Sequence, residues 1–331
     1  VGLPMPYLLG SLVVVSSIAI MRSAGGKAEA KFPEPVRRAF VAMIGAMIGA
    51  TFTADLLSVV PTLWISLLAV PVFVVVALAL GFVIYRYIGG YDLRTALFSA
   101  MPGGLIDSVA LGEAAGGDGL TLAVQHFARI VLVVLTVPMG FYIWSGEVVG
   151  SAAGQALSNT PWDWADVAIL SALALIGLLV GPRLRLPAYH LTGPLVLSAA
   201  FHASGIYQTS NPDWLLNVSQ LVVGTGLGTM FAGVKLSRVG RAFGLGALYV
   251  ASVLVLGLAM ALGLVWLKLG VDGAATFEAL FISLSPGGIT EMGLIALSLG
   301  VSPVVVSAHH LFRIIVTVFI AGILAKRLAL K

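Results

Sequence analysis

Apolar stretches of about 20 residues recur from one end of this 331-residue chain to the other. An α-helix of that length crosses the roughly 30 Å hydrocarbon core of a bilayer. Only 10% of the residues are charged, which is too few to cover a water-exposed surface. The sequence therefore predicts an all-α polytopic membrane protein, with helices near residues 5–21, 37–58, 61–86, 119–144, 163–182, 188–203, 214–235, 242–267 and 302–325.

Two further apolar stretches, at about 92–116 and 276–299, are each interrupted midway by Pro-Gly-Gly. Proline removes a backbone donor and clashes with the preceding turn, and glycine leaves helical geometry easily. The flanking pieces are about ten residues long, so each covers about half of the hydrocarbon core. The pattern predicts broken helices or re-entrant hairpins, interrupted near the middle of the membrane at Pro102-Gly103-Gly104 and Pro286-Gly287-Gly288.

The interrupted stretches belong to an internal repeat. The segment MPGGLID at 101–107 matches SPGGITE at 285–291, and QHFARIVLVVLTV at 125–137 matches HHLFRIIVTVFIA at 309–321. Both matches have the same offset along the chain, which we call the repeat offset, so no gap separates them. The repeat offset pairs Asp107 with Glu291, His126 with His310 and Arg129 with Arg313.

Earlier matches place the boundary between the repeats near residue 150. LPMPYLLGSL at the start of the chain resembles LPAYHLTGPL at 186–195, and both repeats carry a Gly-x-x-x-Gly motif that permits close helix packing. We therefore assign residues 1–150 to repeat 1 and 151–331 to repeat 2. Repeat 2 has a predicted helix at 163–182 before its LPAYHL segment. We expect repeat 1 to have a corresponding first helix, and we predict that this helix is missing from the N-terminus of this sequence.

Charged residues predict the orientation of the chain. Lys and Arg gather in 22–38 and in the turns or ends near 86–94, 183–185, 235–241 and 326–331, whereas 145–166 carries acidic residues and no Lys or Arg. The positive-inside rule places the basic segments in the cytoplasm. Tracing the chain under this rule requires both Pro-Gly-Gly stretches to return to their own side, which gives the repeats opposite topology. Inverted repeats with broken helices at the midplane are typical of secondary transporters.

The interruptions and the acids that follow them are candidate binding groups. Backbone groups freed at a break can coordinate ions or contact substrate, although a simple helix kink would also use Pro and Gly. Asp107 and Glu291 could bind a cation, carry a proton or contact substrate, or they could cap the second half-helix. Ser108 and Thr290 could add hydroxyl ligands.

Each repeat also places a histidine and an arginine three residues apart on one face of a helix: His126 with Arg129, and His310 with Arg313. Buried guanidinium groups need anionic partners. The arginines could pair with Asp107 and Glu291 in a structural lattice, or recognise an anionic substrate. The histidines make proton coupling possible.

The duplicated PGG-(L/I)-x-(D/E) segments, each followed by a helix with H-x-x-R, resemble the AbrB family of duplicated bacterial membrane proteins. This family is often labelled ammonia monooxygenase or regulator, and it is distinct from the small DNA-binding regulator of the same name. Its members are grouped by similarity with the cation/proton antiporter and anion transporter superfamily. The resemblance therefore implies transport. No copper- or iron-ligand set supports the monooxygenase label.

Together these features predict a secondary active transporter of a small anionic organic solute, coupled to H⁺ or Na⁺, in the bacterial inner membrane. The alternative is a membrane sensor that binds a ligand and regulates gene expression without transport. We expect no enzymatic activity, no metal or cofactor, and no nucleic-acid partner. The expected partners are the solute, membrane lipids and a second copy of the chain in a homodimer.

Overall fold

The computed structural model describes residues 6–25, 31–52, 60–103, 105–146, 161–184, 186, 188–234, 236–269 and 275–329. Every regular element in these ranges is helical, and five helices are by length and composition able to cross a membrane. The predicted all-α polytopic membrane class is confirmed. The helices are α1 Pro6–Ala24, α2 Glu34–Gly49, α3 Trp64–Val83, α4 Leu93–Ser99, α5 Leu105–Ala114, α6 Gly119–Ser145, α7 Trp164–Val180, α8 Tyr189–Ala203, α9 Asp213–Thr229, α10 Leu236–Trp266, α11 Phe277–Ser283, α12 Ile289–Ser298 and α13 Pro303–Ala329.

Three predicted helices have clearly different limits in the structure. The helix predicted at 214–235 ends as α9 at Thr229. The helix predicted at 37–58 ends as α2 at Gly49, and residues 53–59 lie outside the described ranges. The helix predicted at 242–267 begins earlier, at Leu236. A π-helical turn, Ile84–Ile88, extends α3 toward the basic turn that follows it.

Helices α1, α2, α7, α8 and α9 pack together, and we call them the scaffold bundle. A Cβ atom at Gly45 of α2 would lie 2.5 Å from the carbonyl oxygen of Leu191 of α8. At Gly224 of α9 it would lie 2.5 Å from the carbonyl oxygen of Leu8 of α1. Backbone approaches of this kind require glycine and are common between membrane helices. The predicted packing role of the two Gly-x-x-x-Gly motifs is confirmed.

The stretch predicted at 92–116 forms a helical hairpin of α4 and α5, which we call the first hairpin. The main-chain N–H of Asp118, just beyond α5, donates to the hydroxyl of Thr95 at the start of α4, with 2.9 Å between the atoms. A Cβ atom at Gly112 of α5 would lie 2.9 Å from the Cβ of Phe98 of α4. The chain therefore returns to the end from which it entered, and α6 begins beside α4.

Asp118 caps α6 at this end. Its carboxylate accepts the main-chain N–H groups of Leu120 and Thr121, and the hydroxyl of Thr121 donates to it over 2.6 Å. The hydroxyl bond holds the pKa of Asp118 below its usual value, against the opposing effect of partial burial. The cap therefore stays charged at neutral pH and complements the positive end of the α6 dipole.

The second hairpin consists of α11 and α12, and it begins near the opposite end of α6. The ring of Phe277, the first residue of α11, lies edge-on to Trp144 near the end of α6, with 5.7 Å between ring centroids. At the other end, Arg94 of α4 donates to the carbonyl of Leu328 near the end of α13. The hairpins therefore enter from opposite ends of α6. Whether the complete repeats are related by inversion stays a prediction.

Candidate functional site

An arginine holds the interruption of the first hairpin. The guanidinium of Arg129 on α6 donates through one terminal nitrogen to the carbonyl of Met101 and through the other to that of Gly103, the latter over 3.0 Å. One turn earlier on α6, Nε2 of His126 lies 3.0 Å from the carbonyl oxygen of Phe98. These two side chains therefore bind carbonyls at the end of α4 and in the interruption, where the regular hydrogen bonds of the helix stop. The carbonyl of Phe98 also accepts the main-chain N–H of Met101, over 3.4 Å.

The second hairpin repeats this arrangement. Arg313 on α13 donates to the carbonyls of Ser285 and Gly287, and Nε2 of His310 lies 3.1 Å from the carbonyl oxygen of Ile282. Each of these five residues follows its counterpart in the first hairpin at the repeat offset. The two interruptions are therefore held by equivalent contacts.

The two guanidinium groups donate to main-chain carbonyls and to no carboxylate among the described residues. Arg129 is 4% exposed and Arg313 is 2% exposed. The ion pairs within the described ranges join Glu34 to Arg37 and Arg38, far along the chain from either hairpin. A cation at the C-terminal end of a half-helix is favoured by the helix dipole, which adds to the hydrogen bonds.

The two interruptions lie close to each other. We call the Pro-Gly-Gly interruptions of the first and second hairpins the first tip and the second tip. Thr317 of α13 packs against Gly103 of the first tip, where a Cβ atom would lie 2.5 Å from the threonine Cβ. Arg313, which binds the second tip, precedes Thr317 by four residues, or about 6 Å along a helix. The positive charges of Arg129 and Arg313 are close enough to repel each other. The tips and their arginines therefore form one central region inside the protein.

Tyr249 of α10 is a site residue that sequence reasoning missed. Its hydroxyl donates over 2.9 Å to the carbonyl of Ala100 at the first tip, and its side chain interacts electrostatically with both Arg129 and Arg313. Tyrosine in an apolar helix gives no sequence signal of its own. Only the fold brings it to the tip.

The other predicted site residues divide into two sets. Pro102, Gly103, Pro286 and Gly287 are buried at the tips, Gly288 is half-buried, and Ser108 is buried on α5. Gly104 and the side chains of Asp107, Thr290 and Glu291 lie outside the described part of the chain. Among the described residues, no group of three or more His, Asp or Glu side chains could hold a metal ion.

Replacing Gly103 with alanine is expected to destabilise the protein by about 1–3 kcal/mol, because the new methyl group meets the branched Cβ of Thr317. Gly287 provides the matched control. A Cβ atom there meets the unbranched side chain of Met292, which has more rotamers than threonine through which to relieve the contact. Thermal unfolding of both variants in detergent measures the difference. Equal unfolding temperatures would contradict the close approach of Gly103 and Thr317.

The two hairpins pack differently on the scaffold bundle. In the second hairpin, α12 lies on α2, where a Cβ atom at Gly293 would be 2.6 Å from Cδ1 of Ile48. Ile295 of α12 is fully buried in the core shared with the scaffold. Its counterpart Leu111 on α5 is only partly buried, and α5 makes no comparably extensive contact with α9 among the described residues. The interface with the scaffold is thus closed at the second hairpin.

Comparison with known proteins supplies the family. The family model described as "Transition state regulatory protein AbrB" matches residues 7–329. The protein YhjN of Bacillus subtilis (strain 168), described as uncharacterized, is 24% identical over 346 residues, covering 96% of this chain and 85% of YhjN. A protein of Escherichia coli (strain K12) named "Putative regulator AbrB" is 24% identical over 315 residues, covering 95% of this chain and 87% of that protein. Since the family model matches nearly the whole chain, this protein belongs to the AbrB family.

Proposed function

We propose that this protein is a secondary active transporter of a small anionic organic solute, coupled to H⁺ or Na⁺, in the bacterial inner membrane. The observation that carries the proposal is the meeting of two broken hairpins, entered from opposite ends, with an arginine at each tip. Non-helical backbone at membrane depth is tolerated where it is buried in protein or lines a cavity. Carriers use such interruptions to bind solutes near the midplane.

The hydrogen bonds at the tips favour an anionic solute over a cation. The carbonyls of Phe98, Met101 and Gly103 already accept bonds from His126 and Arg129, which engage one of the two lone pairs of each oxygen and make it a weaker ligand for a cation. The nearby guanidinium charge would also repel one. Each guanidinium retains an Nε–H group without a partner among the described residues. Such a donor suits a carboxylate.

The coupling ion is assigned to Asp107 and Glu291. A carboxylate at membrane depth is costly unless it is paired, protonated or bound to a cation, so it can gain or lose H⁺ or Na⁺ in step with the solute. The histidines are less suited to this role, because each Nε2 faces a carbonyl and therefore carries its proton in the neutral ring. The hydrogen-bonded ring then serves to hold the tip.

A sensor is the second candidate function, and the printed names of the family and of the Escherichia coli relative favour it, because both describe regulation. A sensor would bind the same solute at the same tips without moving it. The two hairpins pack unequally on the scaffold bundle, since α12 lies on α2 and α5 has no comparable contact with α9 among the described residues. This difference supports a carrier instead, because alternating access has one interface closed while the other is open.

Uptake into proteoliposomes tests the proposal. The purified protein is reconstituted, a proton or Na⁺ gradient is imposed, and accumulation of radiolabelled small carboxylates is followed. We expect gradient-driven uptake of at least one carboxylate, lost in the double variant Asp107→Asn, Glu291→Gln. Glu113→Gln, at an exposed position of α5, is the matched control and should retain uptake. Specific binding with no uptake under either gradient would favour the sensor.

A further inference from the structure

We propose that Thr317 is a solute-binding residue, whose hydroxyl binds an oxyanion group of the solute together with the Nε–H groups of Arg129 and Arg313. This inference deepens the proposed function and rests on its central site. It also assigns the two hairpins unequal roles, since the counterpart of Thr317 at the repeat offset is Val133, which has no hydroxyl.

The hydroxyl of Thr317 is buried and unused. Thr317 is 1% exposed, and its Oγ1 has no hydrogen-bond partner among the described residues. Threonine inside a helix commonly bonds the carbonyl three or four residues earlier. A buried hydroxyl without a partner is unfavourable, and in native structures such a group calls for an explanation.

The place of Thr317 supplies that explanation. It packs on Gly103, whose carbonyl accepts from Arg129 over 3.0 Å, and it lies one turn beyond Arg313. Thr317 therefore lies at the point where the first tip meets the helix that holds the second. A ligand between the tips would reach the hydroxyl and both arginines.

The unused groups at this point are hydrogen-bond donors. Nε of Arg129 and Nε of Arg313 are buried and have no partner among the described residues, and Thr317 can also donate. Guanidinium and hydroxyl donors together bind the oxygens of a carboxylate or phosphate. They would not coordinate a metal cation. The ligand class is therefore a small oxyanion, with its charged group directed at Thr317.

The internal repeat supplies a matched control. The repeat offset that relates Arg129 to Arg313 also relates Val133 on α6 to Thr317, and Val133 is fully buried. The equivalent place thus carries an apolar side chain of the same shape. Valine at 317 would therefore remove the hydroxyl without leaving a cavity.

Thermal unfolding of the purified full chain in detergent, with acetate, succinate or phosphate as probes, tests the inference. At least one probe is expected to raise the unfolding temperature of the natural protein. Thr317→Val should unfold at a higher temperature without the probe, because an unpaired buried hydroxyl is gone, and should bind the probe at least about tenfold more weakly. Thr317→Ser should retain binding. Val133→Thr should leave the affinity unchanged.

Two outcomes would overturn the inference. One is a Thr317→Val variant that is destabilised and binds the probes as tightly as the natural protein, which would make the hydroxyl structural. The other is the absence of any effect of all three probes on the natural protein. Because binding is measured without a membrane gradient, loss of probe affinity in Thr317→Val with no uptake into proteoliposomes would support this site while contradicting transport.

Discussion

Arg129→Lys is expected to lower the free energy of unfolding by about 2–3 kcal/mol and to abolish transport. The planar guanidinium reaches the carbonyls of Met101 and Gly103 at once, whereas a lysine ammonium is a point charge that cannot reproduce the fork. At least one buried carbonyl therefore loses a charge-assisted bond, each worth about 1.5–3 kcal/mol. The tip would then be free to leave the geometry that binds the solute.

Arg86→Lys is the matched control for this prediction. Arg86 also donates to a main-chain carbonyl, that of Tyr91, but it is exposed, so water can replace the lost bond. Chemical denaturation in mixed micelles and proteoliposome uptake measure the two consequences separately. Arg313→Lys should behave like Arg129→Lys, because the contacts match. If Arg129→Lys and Arg313→Lys kept the stability and uptake of the natural protein, the paired hydrogen bonds of the two guanidinium groups would not be needed.

The sequence predicted the interruptions because their cause is local. Proline and glycine disfavour a continuous helix wherever they occur, and half-helices of about ten residues cannot cross a bilayer alone. The return of the first stretch to its own side also followed from the positive-inside rule. Both predictions used short-range or additive properties of the chain, and the contact between Asp118 and Thr95 agrees with them.

The partners of the arginines could not be predicted in the same way. Pairing of Arg129 and Arg313 with Asp107 and Glu291 is one of the two alternatives that the sequence leaves open, and it stays a prediction because the acidic side chains lie outside the described part of the chain. Main-chain carbonyls carry no sequence identity, so an arginine that binds them leaves no pattern except its constant distance from the break. That distance is conspicuous in retrospect, since Arg129 and Arg313 each follow their Pro-Gly-Gly by the same number of residues.

Tyr249 and Thr317 were missed for a different reason. Each lies on an apolar helix that comes to the tips only through tertiary packing, and neither has a polar counterpart in a repeat match. Such residues break the internal symmetry of the chain. A comparison of the repeats for differences, in addition to identities, would have found Thr317 opposite Val133.

The unequal packing of the hairpins leads to a second prediction with a large effect. The chain contains no cysteine, so any introduced pair can be studied without background. In the double variant Ile48→Cys, Gly293→Cys the two thiols should form a disulfide rapidly on mild oxidation. The Cβ position of Gly293 meets the end of the Ile48 side chain, and the shorter cysteine removes that overlap.

The repeats again provide the control pair. Val109 corresponds to Gly293 at the repeat offset, and Leu227 corresponds to Ile48 at the slightly shorter offset that joins the two Gly-x-x-x-Gly motifs. Because α5 has no comparably extensive contact with α9 in the described ranges, Val109→Cys with Leu227→Cys should cross-link much more slowly than the first pair. The two rates, measured by gel mobility in membranes, would then report which end of the protein is closed.

The disulfide between positions 48 and 293 should also stop transport until a reductant restores it. Alternating access requires the closed interface of the second hairpin to separate from α2 in each cycle, and a covalent bond prevents this. Full uptake by the oxidised pair would show that α12 does not move against α2, and would exclude this form of alternating access. Rapid cross-linking of both pairs in one population would indicate instead that the two interfaces close at the same time, as in a sensor that binds without exchange.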